Sequence, residues 1–211
     1  MIWVVPKYID QLFCLLSKAK GKNCKFGFNL PLNYYAYYMI TIISGTNRRN
    51  SVSKKIAHIY QSILRDKGQE AEVIYLEDLP TDFVTTALYE NAGKNKLFNP
   101  FRELIMQSQK MIFVVPEYNG SFPGVLKAFI DGMKYPDAFR GKKAALVGLS
   151  SGIQGAGLAL SHLTDIFNYC GMHVLAQKPK LYHIEKNLTE NKLSTLYHGL
   201  LEEQVDALLT F

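Results

Sequence analysis

The chain has 211 residues, 48% hydrophobic and 20% charged, which suits one globular domain of ~100–200 residues with a sizeable core. It holds no apolar run of the ~18 residues that a membrane-spanning helix needs, and its three cysteines, Cys14, Cys24 and Cys170, show no CxxC spacing, so neither a disulfide framework nor a zinc site is expected and a reducing cytoplasmic setting is. The net charge of +6 does not imply nucleic acid: residues 1–38 hold five lysines against Asp10, or +4, and leave +2 for the rest, where a nucleic-acid binder needs clustered basic side chains on a folded surface.

Residues 1–38 differ in character from the rest of the chain. Their apolar stretch is interrupted by Pro6, Lys7 and Asp10, and Lys18, Lys20, Lys22 and Lys25 come after it, the reverse of a secretory signal. Two readings are open. Either Met39 is the natural start or 1–38 is a loosely held N-terminal extension; the competing reading is a helix over 8–19 that covers apolar surface of the domain that begins at 39.

From Met39 the pattern becomes regular. Short apolar runs bounded by turn residues predict strands at 39–44, 71–76, 110–115 and 143–149, with a last one within 172–183. Helical spacing separates them. Over 52–64, Val52, Ile56, Tyr60, Ile63 and Leu64 share a face. Over 123–134, Val125, Leu126, Phe129, Ile130 and Met133 do the same. Further helices are expected at 157–170 and 189–209, the latter with a stripe of Leu193, Leu196, Leu200 and Leu208. Strand then helix, repeated, implies a parallel sheet with helices on both faces. In such folds ligands bind beyond the carboxyl ends of the strands, which directs attention to three loops.

The first loop, Ser44-Gly45-Thr46-Asn47-Arg48-Arg49-Asn50-Ser51, leaves strand one and enters a helix. A helix N-terminus offers free N–H groups and a partial positive charge. Hydroxyls at Thr46, Ser51 and Ser53 can donate to phosphate oxygens, and Arg48 can neutralise them. No Gly-Lys-Ser/Thr follows, so this is not a P-loop; a monophosphate fits better. Asn50 or Ser51 alone could be a mere helix cap. The second loop, Pro116-Glu117-Tyr118-Asn119-Gly120-Ser121-Phe122-Pro123-Gly124, is a shaped turn able to present backbone polar groups to a flat heteroaromatic ring, with Tyr118 adding apolar area. The third, Ser150-Ser151-Gly152-Ile153-Gln154-Gly155-Ala156-Gly157, allows close approach of a ligand or of the next helix.

The third loop also supports a rival. Gly148-Leu149-Ser150-Ser151-Gly152 fits the G-x-S-x-G nucleophile elbow of α/β-hydrolases, with Ser150 as nucleophile and Glu185 and His198 following in triad order. In a hydrolase, however, the first two loops have no task. The other histidines, His58, His162, His173 and His183, form no HxxxH or HExxH arrangement and read as structural or surface groups.

Taken together, the loops resemble those of the NADPH-dependent FMN reductase family, which includes quinone and azo-dye reductases. Gly45 to Ser51 is similar to its G-S-x-R-x-x-S phosphate loop, with Thr46 in place of the first serine. Pro116 to Lys127 is similar to its P-E-Y-N-x-S-x-P-G-x-L-K signature, closed by Asp131; Gly132 stands where a bulky aromatic usually follows. Ser151 to Gly155 resembles the third flavin loop. The resemblance spans about 39–200. It implies an α/β, flavodoxin-like three-layer sandwich with a five-stranded parallel sheet, bound FMN, and NADPH or NADH as co-substrate. It places Thr46, Arg48, Ser51 and Ser53 at the FMN phosphate. Pro116, Glu117, Tyr118, Asn119 and Gly120 then run along the isoalloxazine, with Ser151 and Gly152 near its far edge. It further implies a small-molecule electron acceptor, no catalytic side chain, and a homodimer or homotetramer. A one-electron flavodoxin-like carrier is the alternative, against which the basic pI of about 9.1 argues mildly.

Overall fold

The computed structural model describes residues 39–211; the expectations for 1–38 lie outside the described residues. Five strands follow the predicted order: β1 (Ile40–Ser44), β2 (Ala71–Tyr75), β3 (Lys110–Pro116), β4 (Lys143–Leu149) and, split in two, β5 (His173–Val174) with β6 (Lys180–Leu181). All pair in parallel, in the spatial order β2-β1-β3-β4-β5, with β6 continuing the edge beside β4. The main helices are α1 (Val52–Asp66), α2 (Asn99–Gln107), α3 (Gly124–Asp131), α4 (Gly157–Tyr169) and α5 (Thr195–Thr210). No helix among the described residues is long and apolar enough to cross a membrane.

Alternation along the strands sorts the core into two layers. Ile43, Ile74, Phe113 and Leu146 point to the face covered by α2, α3 and α4. Ile42, Ile112, Val114 and Val147 point to the face covered by α1 and α5. Residues two apart share a face of a sheet, so the central strands β3 and β4 are apolar on both sides, as parallel strands covered by helices must be. This is the expected three-layer sandwich.

Two expectations need correction. The helix expected from 189 begins at Thr195, because Leu188–Thr189 (β7) and Lys192–Leu193 (β8) form an antiparallel hairpin. Its turn residues Glu190 and Asn191 both have positive φ, the geometry that matches the twist of a tight hairpin. The buried stripe of α5 is Tyr197, Leu201, Gln204, Val205 and Leu208, while Leu196 is 67% exposed. Helix α2 is an addition to the predicted elements; it is nine residues long and carries a proline in its first turn.

The split edge strand has a physical cause. Pro179 has no N–H to donate, and the chain leaves β4 between Leu175 and Pro179. The fully buried Gln204 side chain closes the gap: its Nε2 donates to Leu146 O and Gln177 O, both at 2.9 Å. Tyr60, whose pKa burial pushes well above the usual value, donates to Gln204 Oε1 at 2.5 Å and so fixes which way the amide points. Removing this amide strands two carbonyls and a hydroxyl. Gln204→Leu should therefore cost about 2–4 kcal/mol of stability, read by urea unfolding; a loss under about 0.5 kcal/mol, the scale of an ordinary surface change, would show that the bridge is dispensable.

Candidate functional site

The loops after β1, β3 and β4 converge, as the parallel topology requires. Gly45 N donates to Val114 O at 2.9 Å, and a Cβ at Gly45 would lie 2.7 Å from that same oxygen. The first loop can therefore lie flat against β3 only with glycine there. Thr46 is buried, and its Oγ1 sits 2.8 Å from the Tyr118 hydroxyl while accepting from Arg48 N at 3.3 Å. Ser51 caps α1, its Oγ accepting from Lys54 N; the capping role weighed from sequence is real. Arg48 and Arg49 stand exposed beside it, and the first turn of α1 holds no acidic residue.

The second loop is a two-residue hairpin. Tyr118 N donates to Ser121 O and Ser121 N returns to Tyr118 O, with Asn119 and Gly120 at φ 52° and 74°. Asn-Gly is the pair best suited to two consecutive left-handed positions. Glu117 borders the space between the loops and also braces them. Its Oε2 accepts from Ala156 N at 3.1 Å, tying the second loop to the third. Ser121 Oγ lies 2.9 Å from Nδ1 of His162 on α4, so this histidine, read from sequence as structural or surface, supports the same hairpin.

In the third loop, Ser150 Oγ is consumed locally: it donates to Gly152 O and accepts from Gly155 N. Gly148 is a glycine because a Cβ there would come within 2.2 Å of Gly155 O. His198 Nδ1 lies beside Glu202, and Glu185 accepts from Ser151. The hydrolase triad is thus not assembled, and the G-x-S-x-G pattern here is a loop-packing device.

A cavity of about 190 Å³ lies between the loops. Thr46, Arg48, Ser51 and Ser53 border it from the first loop and α1. Pro116, Glu117 and Tyr118 border it from the second loop, and Ser151 from the third. Asn119 and Gly120, at the hairpin tip, and Gly152 do not line it. Glu185 does; in the sequence it stands out only as the acid of the rival triad, and nothing in the pattern after β6 marks it as a wall of this site.

The donor inventory defines what the cavity can hold. Ser53 Oγ is buried and has no hydrogen-bond partner among the described residues. Ser51 Oγ uses a lone pair and keeps its O–H. Thr46 keeps its O–H if Tyr118 donates to it, since a hydroxyl has one proton and two lone pairs. The Ser51 and Ser53 hydroxyl protons, that of Thr46 when Tyr118 donates, an arginine and a helix N-terminus form a receptor for an acceptor-only anion. The residues present therefore fit the phosphate of FMN.

Comparison with known proteins points the same way. The NADPH-dependent FMN reductase family matches residues 38–181. The 2-hydroxy-1,4-benzoquinone reductase of Burkholderia sp is 30% identical over 163 residues, covering 72% of this chain and 82% of that protein. The NAD(P)H:quinone oxidoreductase of Solanum tuberosum is 28% identical over 141 residues, covering 66% and 72%. Among solved structures, an apo NADH:FMN oxidoreductase (EMOB) superposes with a TM-score of 0.69 at 22% identity, covering 82% of this chain and 89% of that one. The flavoenzyme FerB from Paracoccus denitrificans gives 0.67 at 24%, covering 82% and 96%. These two likenesses speak to the fold. With the family match over most of the chain and the loops in the geometry just described, this protein belongs to the NADPH-dependent FMN reductase family and is a flavin-dependent NAD(P)H oxidoreductase.

Proposed function

We propose that the chain binds FMN with its phosphate at the start of α1 and uses it to pass reducing equivalents from NAD(P)H to a quinone or similar small acceptor. The observation that carries this reading is the orphaned, buried Ser53 hydroxyl, which needs an acceptor that the protein itself does not provide. Bound FMN supplies the two-electron chemistry between NAD(P)H and the acceptor.

The chain's own residues bind and orient. Thr46, Ser51 and Ser53 donate to the phosphate, and Arg48 neutralises it. Pro116, Glu117 and Tyr118 wall the neighbouring space, with Glu117 holding the second and third loops together. Asn119 and Gly120 offer backbone groups at the hairpin tip, and Ser151 and Gly152 flank the opposite edge. No side chain is assigned as acid, base or nucleophile. The acceptor class rests on the quinone-reducing relatives.

We take 39–211 as the flavin-binding unit, with 1–38 as an extension outside it; the family match begins only at residue 38. Its NAD(P)H co-substrate fits work in the cytoplasm. The face between α3 and α4 bears exposed Tyr135 and Tyr169 beside a mostly apolar cavity of about 480 Å³, with Lys127, Asp131 and Asp165 in its lining, which supports assembly as a homodimer or homotetramer.

Protein reconstituted with FMN should bleach when NADPH or NADH is added without oxygen and recover its yellow colour with benzoquinone. Flavin that stays oxidised with both nucleotides would instead indicate a carrier. Arg48→Ala should weaken FMN binding about tenfold. Ser53→Ala should weaken FMN binding several-fold yet leave the apo protein at least as stable, because the lost hydroxyl has no partner there. Unchanged FMN affinity in both variants would remove the phosphate from the start of α1.

A further inference from the structure

A second, larger cavity of about 720 Å³ lies on the outer side of α1, between that helix, the β7–β8 hairpin and the first turn of α5. Lys54, Lys55 and Lys192 border it, with the imidazoles of His58 and His198. No carboxylate lines it. Some of this charge is already engaged: Lys54 pairs with Glu77, His58 meets the Tyr75 hydroxyl, and His198 lies 3.6 Å from Glu202. Lys55 and Lys192 are exposed and enter no salt bridge among the described residues. They approach from opposite walls, helix and hairpin. Ile59 and Leu193 add apolar side chains to the same lining. Asn50 and Ser51 border both this cavity and the phosphate cavity, so the two are neighbours across one turn of chain.

The chemistry selects the ligand class. Ammonium groups on facing walls favour a dianion, and a phosphomonoester carries about −1.5 to −2 charge at neutral pH. A bare phosphate would leave most of the volume and the apolar surface unused, since a cavity of several hundred Å³ suits a whole small molecule. A phosphate attached to a flat, partly apolar body uses both features. We propose that this cavity binds phosphorylated adenosine, with the phosphate between Lys55 and Lys192 and the nucleoside against Ile59 and Leu193. Resting on the proposed NAD(P)H oxidation, the inference gives the chain a device for recognising the 2′-phosphate end of NADPH, the feature that NADH lacks. A separately bound adenine nucleotide carries the same chemistry, and the experiment distinguishes the two.

The probe is adenosine 2′,5′-bisphosphate, titrated calorimetrically into FMN-loaded protein and into the Lys55→Ala/Lys192→Ala double variant. Both side chains are solvent-exposed and outside the flavin site, so fold and FMN affinity should be unchanged. The expected result is binding to the parent chain and a loss of about tenfold or more in the variant. If KM for NADPH rises by a similar factor while KM for NADH does not, the site reads the NADPH phosphate. If the probe is lost but both KM values hold, the site takes a separate nucleotide. No binding at ~1 mM, the scale of a very weak complex, or equal binding by the variant, overturns the proposal. Failure to bind FMN would overturn the flavin reading instead, and titrating the probe into the flavin-free chain would still test the cavity.

Discussion

The register of β3 between its neighbours is the constraint on which the site depends. Ser44, the last residue of β1, pairs with Val114, whereas β3 runs on to Pro116 beside Leu149 of β4. Strand β1 therefore stops two residues short of β3, a step of roughly 6–7 Å at the rise of a parallel strand. The first loop turns off at that step, pinned by Gly45 N to Val114 O, and the recess it leaves is where the Thr46, Ser51 and Ser53 hydroxyls gather. The second loop stands above as a wall. It is bonded on one side through Tyr118 to Thr46 and on the other through Glu117 to Ala156. The three loops thus behave as one preorganised unit, which is what a polar binding site needs if ligand binding is not to be spent on ordering the chain.

Much of this was legible in the sequence. Apolar runs over β1, β3 and β4 are strong signals because both faces of each strand are buried. The glycine and hydroxyls of the first loop, and the Asn119-Gly120 pair, announce their backbone geometry directly. Other features were illegible for physical reasons. Residues 173–181 mix polar groups with a proline and carry no clean alternation, so the split edge strand could be placed only within a broad window. Gln204 looks like any polar residue on a helix, and its function depends on a gap in a sheet that lies 27 residues away at Gln177 and 58 at Leu146. Leu193 falls at helical spacing with α5 and drew the predicted helix back over a hairpin. Its turn, Glu190-Asn191, lacks the glycine that usually marks such a connection.

The same distinction separates local chemistry from assembled chemistry in the site. The phosphate-type loop is contiguous, so its residues could be picked out together. Glu185 is brought to the cavity only by the return of the chain after β6. Conversely, Ser150, Glu185 and His198 have the order of a hydrolase triad but not its geometry. Order along the chain is weak evidence where function depends on distance, and here hydrogen bonds within the loop account for Ser150.

The central claim is that the step beside β3 is a phosphate receptor and that the three loops form one flavin site around it. The most direct measurement compares FMN with riboflavin, which has the same ring and polyol but no phosphate, by fluorescence titration of the flavin-free protein. Tight FMN binding at one per chain, with riboflavin weaker by about a hundredfold or more, is the predicted result. Equal affinity for the two flavins would contradict the account.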